Sequence, residues 1–175
     1  MRRIISALII LFAFTGCGIS FPNIFDNSDN EERISIVDAP KIMFDKIISA
    51  LDNKDSDELI SLFSQNALSK ISNIDEQIEI LFELYQGKFV SNSSFDSGAG
   101  SGYKNKQGWI YLEICPRIQE IKTDEAVYSL SYNSVAVDDE YPNNVGLWGV
   151  WLRLKNGDEI VDECQVGTTA LGRNE

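Results

Sequence analysis

Between residues 39 and 86 apolar side chains recur every three or four positions, and from residue 109 to 166 they alternate. The first spacing belongs to helices that lay one stripe on a core, the second to half-buried strands. Phe44, Ile47, Ile48 and Leu51 form the stripe of a helix predicted over 39–53, with Pro40 in its first turn, where a missing N–H is harmless. Asp55, three residues before Glu58, opens a second helix with a capping-box pattern; Leu59, Leu62 and Phe63 are its apolar side, and it fades around 66–69. A third is predicted over 74–86. Asn73 is placed to cap it, Glu76 holds the box position, and Ile78, Leu81, Phe82 and Tyr85 are its stripe; Gly87 suits a left-handed stop.

Residues 91–108 are rich in Ser, Gly, Asn and Lys. The run Ser97-Gly98-Ala99-Gly100-Ser101-Gly102 lacks the Gly-Lys-Ser/Thr ending of a phosphate-binding loop and reads as a glycine-rich loop or edge strand. Strands are predicted over 109–115, ended near Pro116, and over 118–123, past a bulge. Further strands follow over 126–137, 145–154 and 159–166, the last two joined by the tight-turn signal Asn156-Gly157-Asp158. Helices followed by antiparallel strands predict an α+β fold, with three N-terminal helices packed on a four- to five-stranded antiparallel sheet.

The amino terminus has a different character. Met1-Arg2-Arg3 is basic, residues 4–14 are apolar except for Ser6, and Thr15-Gly16-Cys17 closes the run with small residues. This is the layout of a secretory signal, too short to span the roughly 30 Å of bilayer hydrocarbon. Residues 18–38, with Pro22, Asn23, Asp26, Asp29, Glu31 and Glu32, lack sustained periodicity and read as an acidic tether. The predicted organisation is a signal over 1–16, a tether over 17–38, one domain over 39–168 and a polar tail over 169–175.

Net charge is −12, and would be near −14 once Arg2 and Arg3 left with the signal. Nucleic acid, which selects basic faces, is an unexpected partner. The sequence has no histidine. That removes the commonest general base and every imidazole-bearing zinc site, and lowers the expectation of catalysis without excluding carboxylate chemistry.

Phe14-Thr15-Gly16-Cys17 resembles the lipobox of bacterial lipoproteins, although that family prefers Leu where Phe14 stands. The resemblance implies diacylglycerol and palmitate-type chains on Cys17 as the first mature residue, anchoring the protein at the outer face of the cell membrane. Residues 47–64, with Leu51-Asp52-Asn53-Lys54-Asp55 leading to Leu59-Ile60-Ser61-Leu62-Phe63, resemble the opening of a nuclear transport factor 2-like (cystatin-like) domain, in which helices cap a curved sheet. Together with Asn73-Ile74-Asp75-Glu76-Gln77-Ile78, Leu81-Phe82-Glu83-Leu84-Tyr85-Gln86-Gly87 and Pro142-Asn143-Asn144-Val145-Gly146-Leu147, they are similar to a family of Gram-positive lipoproteins known as domain of unknown function 5104. The resemblance implies a cone-like fold and a location, and carries no activity.

A cone has a mouth, which Tyr111, Tyr128, Tyr132, Trp148 and Trp151 could line as a ligand site; the competing reading is core packing. Asp138-Asp139-Glu140, with Asn143 and Asn144, offers oxygens of the kind calcium prefers, but reads better as a solvated acidic turn. Glu79 and Glu83 share a helical face and read as exposed. Cys115 and Cys164 are a candidate disulfide if their strands are neighbours, and otherwise two small apolar groups. No catalytic residue, metal or cofactor is assigned. The sequence favours a membrane-anchored, non-catalytic module binding a small ligand, an envelope component or a protein. Alternatives are a carboxylate- and tyrosine-based enzyme, or an acidic protein that neutralises a toxin.

Overall fold

The computed structural model describes residues 38–96 and 100–168. Cys17 and nearly all of the tether lie outside the described residues, as do the tail and residues 97–99 of the glycine-rich run. Helix α1 (Ala39–Asn53) buries Met43, Phe44, Ile47, Ile48 and Leu51. It ends at Lys54, a non-glycine residue in the left-handed region at φ 53°. Asp55 accepts a 2.8 Å bond from the Glu58 amide and starts α2 (Ser56–Ser61).

The second helix does not run on to fade around 66–69: it stops at Ser61. Phe63 makes a parallel bridge to Leu147, and Ser64, whose hydroxyl accepts from Ala67 N at 3.0 Å, starts a separate helix α3 (Gln65–Leu68). Helix α4 (Ile74–Leu84) follows. Asn73 does not cap it. It sits at φ 57° with its side-chain amide on Glu76 at 3.3 Å.

Eight strands follow: β1 (Phe89–Asn92), β2 (Phe95–Asp96), β3 (Ser101–Asn105), β4 (Gly108–Ile114), β5 (Arg117–Thr123), β6 (Val127–Asp138), β7 (Gly146–Asn156) and β8 (Glu159–Gly167). They form one open sheet with antiparallel strand pairings throughout. The expectation of three helices on a four- to five-stranded cone is therefore corrected to four α-helices and an eight-stranded sheet among the described residues. The physical reason is interruption. Long β6 pairs with β7 along one edge and with β4 and then β5 along the other, and Cys115-Pro116 breaks the line between those two. Their outer edge is flanked by β3 beside β4 and by β1 and β2 beside β5, segments whose polar, glycine-rich sequence hides their pairing.

Register divides the sheet into two faces. The row Ile118–Leu130–Leu152–Cys164 is buried, and the next row, Arg117–Ser131–Trp151–Gln165, looks the other way. Helices α1 and α4 cover the buried face. The Tyr132 hydroxyl bonds the Pro40 carbonyl, the Tyr128 hydroxyl bonds Leu84 O at 3.0 Å, and Phe44 meets Phe89 and Phe95 edge-on. The C-terminal end of β8 packs under α4, where the Gln77 side chain accepts from Gly167 N at 3.1 Å.

Candidate functional site

The five aromatic residues proposed for a mouth do not share one. Tyr128, Tyr132 and Trp148 are fully buried, and each polar tip is engaged by backbone. Tyr128 donates to Leu84 O and accepts from Gln86 N at 2.7 Å, Tyr132 reaches Pro40 O, and Trp148 Nε1 donates to Asn144 O at 2.8 Å. Burial pushes the Tyr132 hydroxyl well above its ordinary range. Trp151 lies half-buried on the opposite face of the sheet, over Gly149. Tyr111 belongs to a third place, described below.

Cys115 and Cys164 are separate free thiols. Register explains it: β8 reaches β5 only across β7 and β6, so Cys164 stands three strand spacings, about 14 Å, from the β5 line that Cys115 adjoins. A disulfide needs Cα atoms within about 7 Å. Cys115 is held protonated, its thiol pushed up to about 12 by burial, by its bond to Glu113 and by that carboxylate's charge. It is a poor nucleophile.

The acidic turn is also split by its neighbours. Asp138 is buried; one oxygen accepts from Tyr141 N and the other from Asn144 Nδ2, both at 2.8 Å. Asn144 in turn accepts from Asn66 Nδ2 at 2.7 Å, which ties the turn to α3. Among the described residues no group of three or more His, Cys, Asp or Glu side chains is arranged to hold a metal.

The most unusual exposed chemistry lies where β3, β4 and the β6–β7 connection meet. Tyr103 pairs directly with Tyr111 across the two strands, and their rings stack with centroids 5.9 Å apart and planes 19° from parallel. Glu113, two residues along β4, accepts from the Tyr111 hydroxyl at 3.2 Å and the Ser101 hydroxyl at 3.2 Å, while its other oxygen takes the Cys115 thiol at 3.3 Å. Asp139 N donates to Ile110 O at 2.9 Å, which draws the connection alongside β4. Tyr141 follows, beside Glu140, whose hydrogen bond and charge raise the phenol above its usual range; Asp138 and Tyr103 add to the rise.

Tyr103 is 51% exposed and Tyr141 43% exposed. Among the described residues no lysine or arginine pairs with Glu113, Asp138 or Glu140. Two aromatic faces beside carboxylates that have hydrogen bonds but no ion-pair partner attract cations, through the ring quadrupole and plain charge together.

Sequence reading missed Tyr103, Tyr141 and Glu113. The available signal was a lone aromatic flanked by charged or turn-forming residues, in Gly102-Tyr103-Lys104 and in Glu140-Tyr141-Pro142.

A second cluster joins helix ends. Asp52, near the end of α1, accepts from the Tyr85 hydroxyl at 2.7 Å and from Phe89 N at 3.0 Å. Lys54 reaches the carbonyls of Phe82 and Tyr85 at the end of α4, with its ammonium 5.7 Å and 5.2 Å from those two ring centroids. Cations at helix C-termini offset the exposed carbonyls there. Each group in this joint already has a partner within the fold, so the joint reads as structural.

A search of the curated proteins finds no match to the chain. The family model described as Domain of unknown function (DUF5104) matches residues 46–156, which run from α1 to the end of β7 and include Tyr103, Tyr111, Glu113, Glu140 and Tyr141, together the tyrosine corner. The chain thus belongs to the DUF5104 family.

Proposed function

We propose that this chain is a lipoprotein, anchored at the outer face of the cell membrane through Cys17, whose folded domain is a non-catalytic binding module. The anchor rests on the basic start, the short apolar run and the small residues that lead to Cys17. The two acyl chains of one diacylglyceryl group on that sulfur would give stable membrane residence, because each buried methylene contributes about 0.8 kcal/mol.

One observation carries the choice of binding over catalysis. The buried tyrosines and tryptophan have spent their polar tips on backbone partners, whereas Tyr103 and Tyr141 present aromatic surface to solvent beside Glu113 and Glu140, which pair with no lysine or arginine among the described residues. Exposed aromatic faces of this kind recur in interaction surfaces, where they supply large contact area at low entropic cost.

The experiment is expression of the full chain in a Gram-positive host, followed by fractionation and intact-mass analysis. The expected result is a membrane-bound product beginning at a diacylglyceryl-modified Cys17, and a Cys17→Ser variant that leaves the membrane fraction. A soluble, unprocessed chain with a bare thiol at Cys17 would overturn the anchor.

A further inference from the structure

We infer that the tyrosine corner binds an extended, arginine- or lysine-bearing segment of a partner protein, laid along the free edge of β3. This deepens the binding-module reading and rests on it.

The edge comes first. Strand β3 pairs only with β4 among the described residues, and all five of its residues are exposed. An unpaired edge offers main-chain donors and acceptors to a further strand, and proteins usually protect such edges. The only positive side chain on β3 is Lys104, and it is drawn away from the tyrosines: its ammonium sits 4.1 Å from the Trp109 ring centroid.

The cation preference follows from how rings are used across the molecule. Three other ring faces, those of Phe82, Tyr85 and Trp148, are also covered by the chain's own lysines, Lys54 and Lys70. Tyr103 and Tyr141 carry no such partner among the described residues, yet they stand beside Glu113 and Glu140, where a cation is favoured twice over. The net charge of −12 adds long-range attraction for a basic partner. A strand's alternation then matches the site: every second side chain of an added strand falls on the tyrosine face, where a guanidinium can lie flat on a ring and fork onto a carboxylate.

The test is titration of the purified Cys17→Ser chain with an acetylated peptide of alternating arginine and threonine. Binding is followed by tyrosine and tryptophan fluorescence and by calorimetry. Saturable binding that weakens steeply with salt is expected. Tyr103→Ala should weaken it about tenfold, while Tyr103→Phe, which keeps the ring, should stay within about twofold. Glu113→Gln should weaken it several-fold, and Glu79→Gln, an equal loss of charge on α4, should not.

An absence of binding at millimolar peptide would overturn the inference. So would equal losses in Tyr103→Ala and Glu79→Gln, because bulk charge alone would then explain the affinity. Preferential binding of an uncharged oligosaccharide such as chitohexaose would also overturn it, while leaving the binding-module reading intact. Loss of membrane anchoring in the fractionation above would leave this inference untouched, so the two failures are distinguishable.

Discussion

Truncation of Asp52 to alanine should be the most costly single change at the joint between α1, α4 and β1. The carboxylate accepts two bonds, from the fully buried Tyr85 at 2.7 Å and from the first amide of β1 at 3.0 Å. A hydrogen bond to a charged acceptor contributes about 1.5–3 kcal/mol, and an orphaned buried donor costs more than a lost exposed one. The bond from the Phe89 amide is only part-buried, so its share is placed at the low end. The expected loss is about 2–4 kcal/mol for Asp52→Ala, and roughly half that for Asp52→Asn, which keeps an acceptor oxygen. For a domain of this size that is a fall in Tm of about 10 °C. Urea unfolding followed by tryptophan fluorescence should shift the midpoint with the slope unchanged. Tyr85→Phe should cost about 1–2 kcal/mol, and the double variant should show a coupling of about 1 kcal/mol, since the two side chains share one bond. Asp52→Ala within about 0.5 kcal/mol of the parent, or strict additivity with Tyr85→Phe, would refute the reasoning.

Gly146→Ala should destabilise by about 3 kcal/mol or more, because its φ is +127° and an added Cβ would lie 2.8 Å from Leu62 O and Ser64 N; Gly157→Asn, at φ +63° in open space, should be near neutral by the same unfolding assay. Ser134→Ala should stabilise by about 1 kcal/mol, since the Ser134 hydroxyl is buried without a hydrogen-bond partner among the described residues; a loss of stability would show that the hydroxyl is satisfied. Cys115 and the buried tyrosines Tyr85 and Tyr132 all titrate higher when folded, so their contribution is complete below the unfolded values and is lost as pH rises. Chemical stability should therefore hold to about pH 8.5 and fall progressively from there to pH 12, whereas a rise over that window would contradict the sign. The unreduced Cys17→Ser chain should yield two reactive thiols on unfolding in the presence of a thiol reagent, and slow reaction before it; a count of zero would reveal a disulfide between Cys115 and Cys164.

Local chemistry reads directly from a sequence because its partners are near neighbours. The stripe of α1, the Asp55 cap of α2 and the turn at Gly157 all depend on contacts within a few residues, and each lies where the spacing placed it. What the sequence left open depends on partners far along the chain. Ser64 starts α3 because Phe63 is held by Leu147, more than eighty residues on, and no local period announces that. The polar strands β1, β2 and β3 pair through their backbones, which a hydrophobic pattern does not report. Register alone separates Cys115 from Cys164 and turns Trp151 away from Tyr132. The tyrosine corner likewise exists only because β3, β4 and the segment after β6 are folded onto one edge, bringing Tyr103, Tyr111 and Tyr141 together from three stretches of chain. Periodicity determined which residues face inward; long-range pairing, whose free energy is shared between distant segments, decided which exposed residues became neighbours.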